Sequence, residues 1–339
     1  MNATEILNKL VSKKNLTKNE ASDLLRGIMD GSVSPVVTAA ILTALRMKGE
    51  TTDEVVGLIQ AMREAMIPVN VPDAMDIVGT GGDGAGTFNI STTTAFVVAG
   101  AGVKVAKHGN RAASSKCGSA NVLEALGVNI NLTAQQAETV YAKTGFVFML
   151  APAFHPSTKN VVTVRKELKI RTIFNILGPF ANPASTQYQL TGVPDIESAK
   201  RLADVARGLG YKRNLIVTSS STDELTLNAK TIGYEVAGTK VKRITIDPQK
   251  LGFKEAPKGA LLGGDVASNV TYLRGILDGE KGPRRDVVVL NAACALYVRG
   301  VAKNIKEGIK MAVTSIDTGA ALRVLENVIF ETQQFRATP

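Results

Sequence analysis

Between Gly79 and Gly86 the chain places five glycines, inside the stretch Asp76-Ile-Val-Gly-Thr-Gly-Gly-Asp-Gly-Ala-Gly-Thr-Phe-Asn-Ile-Ser-Thr92. A short apolar run precedes them and a hydroxyl-rich, then apolar, stretch follows, which reads as strand, flexible loop and helix start. Glycines let the backbone take positive φ and approach a ligand closely. Ser91 and Thr92 are placed to cap a helix whose free N–H groups and positive dipole end attract anions. The stretch therefore predicts a phosphate cradle, since a turn that merely packs a helix on a strand has no need of five glycines.

Gly79, Gly81 and Gly84 also fit the dinucleotide pattern G-x-G-x-x-G, which requires a carboxylate about 20 residues further on to hold a ribose. From Ala85 to Leu123 there is no Asp or Glu, while Lys104, Lys107, His108, Arg111 and Lys116 accumulate. The ordinary nicotinamide reading fails, and the neighbourhood suits several phosphate charges. The P-loop ending in Gly-Lys-Ser/Thr is missing as well.

A chain of 339 residues, 45% of them hydrophobic, predicts one large domain with a smaller companion. No basic-then-apolar leader and no long uncharged apolar run is seen, which argues for a cytoplasmic protein with no membrane partner. Two cysteines cannot supply a disulfide framework or a zinc site of the usual four-ligand kind, and the two histidines add little to either. The net charge of +10 raises the question of nucleic acid, but there is no Lys/Arg block and no tryptophan. Small phosphorylated anions fit the same balance, as does a basic surface that keeps the protein soluble.

Along the chain, residues 1 to about 65 read as short helices, with capping boxes at Thr17-x-x-Glu20 and Thr51-x-x-Glu54 and an N-cap plus N1 proline at Ser34-Pro35. Leu24, Leu25, Ile28 and Met29 form one apolar stripe, and Val55, Val56, Leu58, Ile59 and Met62 another. The proline-bearing segment 67–72 links them to an α/β part. Strands are predicted at Met75–Val78, Val103–Ala106, Phe146–Leu150 and Leu215–Thr218, with a hairpin around Gly238. Helices are predicted from near Ser91, from Thr133, through Arg165, over Ile196–Leu209, Asp286–Arg299 and Thr318–Val328. Ala151–Pro156 is expected as a stiff loop, and 175–183 as a break in regular structure. Such alternation makes a mostly parallel sheet whose ligands lie beyond the carboxyl ends of its strands. Asp223 and Glu224, just behind a strand, suit magnesium, a hard cation that prefers oxygen ligands; a solvated loop is the alternative for such a pair.

The glycine loop, Lys107-His-Gly-Asn-Arg111 and Asn175-Ile-Leu-Gly-Pro-Phe-Ala-Asn-Pro183 stand in an order that resembles the anthranilate phosphoribosyltransferase family. Leu45–Thr51, Leu262-Gly-Gly-Asp265 with Asn269, Arg285–Ala293 and Ile316–Leu322 are similar to it too, so the resemblance covers nearly the whole chain. It implies a small helical domain, 1–70, into which part of about 160–185 packs, and an α/β domain, 71–339. It implies transfer of a phosphoribosyl group from phosphoribosyl pyrophosphate to anthranilate, a homodimer through the helical domain, and magnesium, two ions per active site with substrate bound.

Carried over by matching positions, the resemblance assigns phosphoribosyl pyrophosphate to Gly79, Gly82, Asp83, Thr87, Asn89, Ile90, Ser91, Thr92, Lys107, His108, Gly109, Asn110, Arg111, Ala112, Ala113, Ser114, Ser115 and Ser119. It assigns anthranilate to Gly79, Asn110 and Arg165, whose guanidinium fork suits a carboxylate. Ser91, Asp223 and Glu224 are expected to meet magnesium. No residue is assigned as acid or base: for His108 and His155, positioning or packing competes with a base role.

Three departures stand out. Ser221-Thr222 replaces the family's usual Gly-Leu before the two carboxylates, Asn121 stands where Asp is usual, and 157–163 differs ahead of Arg165. The nearest rival is a pyrimidine-nucleoside phosphorylase of the same fold, which shares a related Lys-His-Gly segment. A non-enzymatic nucleic-acid binder, suggested by the charge, is the rival of another class.

Overall fold

The computed structural model describes residues 2–81, 83–112, 116–219 and 222–336. Helices come first: α1 (Ala3–Val11), α2 (Lys18–Met29), α3 (Pro35–Lys48) and α4 (Thr52–Glu64). Each of α2 and α4 starts at the expected threonine, whose hydroxyl accepts the amide of a glutamate three residues on while that carboxylate accepts the threonine's own amide. Ser34 caps α3, with Pro35 in its first turn. Glu54 does more than cap. Fully buried, it also accepts the amide of Leu16 at 2.8 Å and pairs with Lys48 at 2.8 Å, tying α4 to α3 and to the α1–α2 connection through one carboxylate. Both predicted apolar stripes are buried in one core shared with later helices.

The α/β part runs β1 (Met75–Gly79), α5 (Ile90–Gly100), β2 (Val105–Gly109), α6 (Ser119–Ala125), α7 (Ala134–Thr144), β3 (Phe146–Leu150), α8 (Ala151–Phe154), α9 (Lys159–Leu168) and α10 (Phe174–Leu177). It continues with β4 (Tyr188–Gly192), α11 (Ile196–Gly208), β5 (Arg213–Thr218), β6 (Thr231–Ala237), β7 (Lys240–Ile246), α12 (Val266–Leu277), α13 (Pro283–Arg299), α14 (Ile305–Asp317) and α15 (Ala320–Gln333). Among the described residues no helix is long and apolar enough to cross a membrane.

Seven strands make one sheet in the order β3-β2-β1-β4-β5-β6-β7. The first five are parallel, and β6 and β7 extend them as an antiparallel hairpin. Period-two alternation sends side chains to both faces: Leu215 and Val217 join the core under α5 and α13, whereas Ile216 joins the core of the first four helices. Phe146, Phe148 and Leu150 likewise oppose Val147 and Met149. A parallel sheet covered on both faces explains strands that read as continuous apolar runs. The first helices pack on one another and on α9 and α11, with Asn160 donating to the carbonyl of Met29 at 2.6 Å. At the open end, β7 carries Lys240, Lys242 and Arg243 exposed.

Several expectations shift. The second strand was expected over Val103–Ala106 but covers Val105–Gly109, so Lys107 and His108 lie within it, buried, rather than in a loop behind it. Pro152 starts a helical turn at Ala151–Phe154, followed by a 3-10 turn at Pro156–Thr158, where a loop was expected: proline's fixed φ suits a first helical turn. Segment 175–183 is also less irregular than expected, opening with the end of α10 and a 3-10 turn over Gly178–Phe180.

Candidate functional site

The parallel strands β1, β2, β4 and β5 end along one edge of the sheet, and the loops behind β1, β2 and β5 meet there. In the glycine loop, Gly81, Gly84 and Gly86 have φ of 66°, 75° and 63°, the left-handed values their residue type was expected to supply. Its far side is clamped by the segment before α12: Thr87 bridges to Leu262, the amide of Phe88 donates to the carbonyl of Leu261, and that of Gly263 donates to Gly86. Asn269 accepts the amide of Asn89 at 3.0 Å.

Asn89, not Ser91 or Thr92, is the N-cap of α5, and its side chain makes no capping bond, donating instead to the carbonyl of Cys117 at 3.4 Å. The first-turn amide of Ser91 is therefore available to another partner, the carboxylate of Glu224, at 3.2 Å. The side chains of Ile90 and Thr92 are buried in the core, so those two residues can offer a ligand only their backbone.

Asp223 reaches the glycine loop directly, accepting the amide of Gly81 at 2.6 Å. Asp83 closes the same junction from the other side: its Oδ2 accepts the hydroxyl of Thr222 at 2.9 Å and the amide of Asp223 at 3.2 Å, while Oδ1 accepts the amide of Ala85 at 3.0 Å. Asp83 thus acts as a brace between the two loops. This contact requires bare strand ends. A side chain at Gly79 would meet the carboxylate of Asp223, and one at Gly192 would run into its carbonyl.

Burial and the nearby Asp83 push Asp223 up to about 6, and burial with Asp223 beside it pushes Glu224 up to about 8. Burial also acts on Asp83, but hydrogen bonds from Ala85, Thr222 and Asp223 outweigh it and hold that carboxyl low. Lys107, 2% exposed, points its Nζ at the carbonyl of Ile77, 2.5 Å away, and at the hydroxyl of Ser91, 3.4 Å away. Burial lowers its pKa against the pull of Asp76, Glu224 and Asp223. His108 lies beside His155, ring centroids 5.2 Å apart and planes tilted by 53°, and burial with that neighbour pushes it down to about 3. His155 bonds through Nε2 to the carbonyl of Ala181 at 2.8 Å.

Behind β2, the carbonyl of Asn110 accepts the hydroxyl of Ser119 at 3.2 Å, and the exposed Arg111 pairs with Glu124 at 2.6 Å. Asn121 proves to be an organiser of this loop, its Oδ1 accepting the amides of Ala112 at 3.0 Å and Gly118 at 3.1 Å. Gly82, Ala113, Ser114 and Ser115, named from the sequence, lie outside the described residues. Arg165 lies on α9, exposed, with its guanidinium 5.4 Å from the ring centroid of Phe174.

Three residues that were given no site role belong to the arrangement. Gly192 leaves room for Asp223, and Asp76 and Asn182 lie fully buried beneath Lys107, bonded to each other at 2.7 Å. Both acids and amides were visible inside conspicuous motifs, but their partners are 106 residues apart.

Comparison with known proteins places this geometry. Residues 71–322 match the glycosyl transferase family, a/b domain, and residues 4–66 match the helical bundle domain of the same family. Anthranilate phosphoribosyltransferase of Geobacter sulfurreducens is 46% identical over 343 residues, which cover 96% of this chain and 98% of that one. The crystal structure of the Thermus thermophilus enzyme of that name superposes with a TM-score of 0.91 at 39% identity, covering 97% of this chain and 99% of that one. The Saccharomyces cerevisiae enzyme, solved in complex with PRPP and Mg, gives a TM-score of 0.91 at 29% identity over 98% of each chain.

Proposed function

Because the chain belongs to the anthranilate phosphoribosyltransferase family, and so transfers the phosphoribosyl group of 5-phosphoribosyl 1-pyrophosphate to anthranilate in the second step of tryptophan synthesis from chorismate, we propose that both substrates meet at this sheet edge. The products are N-(5-phosphoribosyl)anthranilate and pyrophosphate. The observation that carries the reading is the convergence of the glycine loop, the start of α5 and buried Lys107 on Asp223 and Glu224.

In this reading the glycine-loop amides, the first turn of α5, Lys107 and the loop from His108 through Ser119 hold the pyrophosphate and ribose. Amides and one ammonium aimed at a polyanion stabilise the charge that grows on the leaving pyrophosphate. Asn110 and Arg165 orient anthranilate, with Gly79 as the floor between the two substrates. The aromatic amine carries its own lone pair and attacks the ribose carbon before it loses a proton. His108, pushed down to about 3, is a poor proton acceptor, which fits a mechanism of position and electrostatics without a dedicated base.

The donor set suits magnesium. Asp223, Glu224 and Ser91 offer hard oxygens, and the upward push on both carboxyls marks a place where added positive charge would relieve repulsion. Magnesium would complete its shell here with water and substrate phosphates. We assign two ions per site, one at Ser91 and one at Asp223 and Glu224. Bound there, magnesium would supply neutralising charge to the pyrophosphate.

Residues 1–70, with the stretch around 160–185, form the small domain in this reading, and a homodimer through it is supported by the exposed Val36 and Met47 on α3 and Val11 on α1. The test of the whole assignment is anthranilate fluorescence, followed with phosphoribosyl pyrophosphate and magnesium. The unmutated protein should consume anthranilate, and the double change Asp223→Ala with Glu224→Ala should stop it; no turnover by the unmutated protein over a range of pH would sink the reading. Arg165→Ala should raise KM for anthranilate about tenfold, the worth of one charge-assisted hydrogen bond.

A further inference from the structure

The ladder between β1 and β2 pairs Met75 with Val105, whereas on its other edge β2 pairs with β3 through Gly109. Beyond Met75–Val105, side chains bond where backbone would otherwise pair. The carboxylate of Asp76 accepts the amide of Ile77 at 2.8 Å, and the nearby amide of His108 favours its charged form. Asn182, from the Asn-Pro segment ahead of β4, donates its single amide nitrogen both to Asp76 Oδ2 at 2.7 Å and to the carbonyl of Ala106 at 2.8 Å. Its oxygen accepts the amide of Ala184 at 2.8 Å, which fixes the orientation of the amide. Asp76 is 0% exposed and Asn182 1%.

Ala106, whose carbonyl Asn182 holds, directly precedes Lys107, and Ile77, whose amide Asp76 holds, offers its carbonyl to the ammonium of Lys107. Alternation places Asp76 with Ala106 toward one face of the sheet and Lys107 toward the other, where α5 brings Ser91. Asp76 and Asn182, both fully buried, therefore lie away from the face that Lys107 presents, yet they hold the backbone just before the lysine and the strand residue that accepts its ammonium. A lysine stem has four rotatable bonds, so where its ammonium points depends on how firmly the backbone below it is held. The carbonyl of Ile77 takes the ammonium itself.

We propose that Asp76 and Asn182 are positioning residues that act through the backbone of β2 to aim Lys107 at the pyrophosphate. The inference rests on the reading of Lys107 as a phosphate contact. It gives a role to the Asn-Pro segment that ligand contact does not explain, and it accounts for a carboxylate buried at the foot of the glycine loop, where a charge would otherwise be costly.

The test is a double-mutant cycle with KM and kcat separated. Asn182→Ala should raise KM for phosphoribosyl pyrophosphate about tenfold, in the range seen when a supporting hydrogen bond is lost, and leave KM for anthranilate unchanged. Lys107→Ala should move the same constant by at least as much, and the double variant should be no worse than Lys107→Ala alone. A drop in melting temperature with both KM values unchanged would show Asn182 to be merely structural and overturn the proposal, as would a double variant whose loss is the product of the two singles. Should Lys107→Ala itself leave KM for phosphoribosyl pyrophosphate unchanged, the reading of the site fails; should only Asn182→Ala do so, the positioning role alone fails. If Asn182→Ala does not fold, Asp76→Asn carries the same cycle, since it keeps the volume and sets two amide nitrogens against each other.

Discussion

The helix caps and the loops at the sheet edge are held by the same kinds of hydrogen bond, but over very different distances along the chain. In α2, α4 and α7 the capping bonds join residues three apart. At the edge, Gly81 reaches Asp223 across 142 residues and Ser91 reaches Glu224 across 133. Local bonds form as soon as the helix does, so they stabilise an element. Distant ones form only when the whole sheet is in place, so they shape a site and depend on every element between. The comparison predicts that damage to the helices should appear in stability, and damage to the edge in turnover.

Glu54→Ala should break that comparison most visibly if it is wrong. Removing the carboxylate leaves the buried Lys48 with only the neutral acceptors of Asn15 and Gly49 and the amide of Leu16 without an acceptor, a loss of about 3 kcal/mol. Urea unfolding should report it, while KM for both substrates stays where it was. Gly192→Ala is the converse. Its methyl group must displace Asp223, so kcat should fall about a hundredfold, about 2.7 kcal/mol in the barrier, with a much smaller change in unfolding midpoint. Equal losses in both assays would mean that the edge is part of the stability core.

The smallest effect expected is a pH dependence in α2. Lys9 bonds Glu20 at 2.7 Å, and the Thr17 amide adds to the effect, so its carboxyl is held below the ordinary value of 4.5. A carboxyl lowered by folding stabilises above its unfolded value, and that contribution disappears as pH falls through the lowered one. Unfolding midpoints should therefore drop on the acid side of 4.5 a little more steeply for the unmutated protein than for Glu20→Gln.

The same contrast explains what could be read from the letters alone. Capping boxes, apolar stripes, β3 and the hairpin were legible because their signals lie within a few residues. Family motifs gave the site residues in order but not their contacts. Lys107 and His108 looked like loop because a buried lysine in a strand requires an acceptor and negative charge from elsewhere, and nothing near Lys107 in the chain announces the carbonyl of Ile77 or the carboxylates of Asp76, Asp223 and Glu224. Asp83, placed by its letters among phosphate contacts, forms a brace to Thr222 and Asp223 that only the folded sheet can reveal. Asn121, which looked like a departure from the family, keeps a neutral acceptor between the amides of Ala112 and Gly118, so the loop retains its organiser without adding negative charge.

The hairpin gives the surplus of positive charge a second meaning. A sheet that ends in β7 offers backbone donors and acceptors to any passing strand, and three cations stand on that strand, at Lys240, Lys242 and Arg243. Two copies approaching edge to edge would bring like charges together before any hydrogen bond could form. Part of the basicity that first raised the question of nucleic acid thus works as a guard against fibre-like stacking, and neutralising those three positions should lower the concentration at which the protein aggregates.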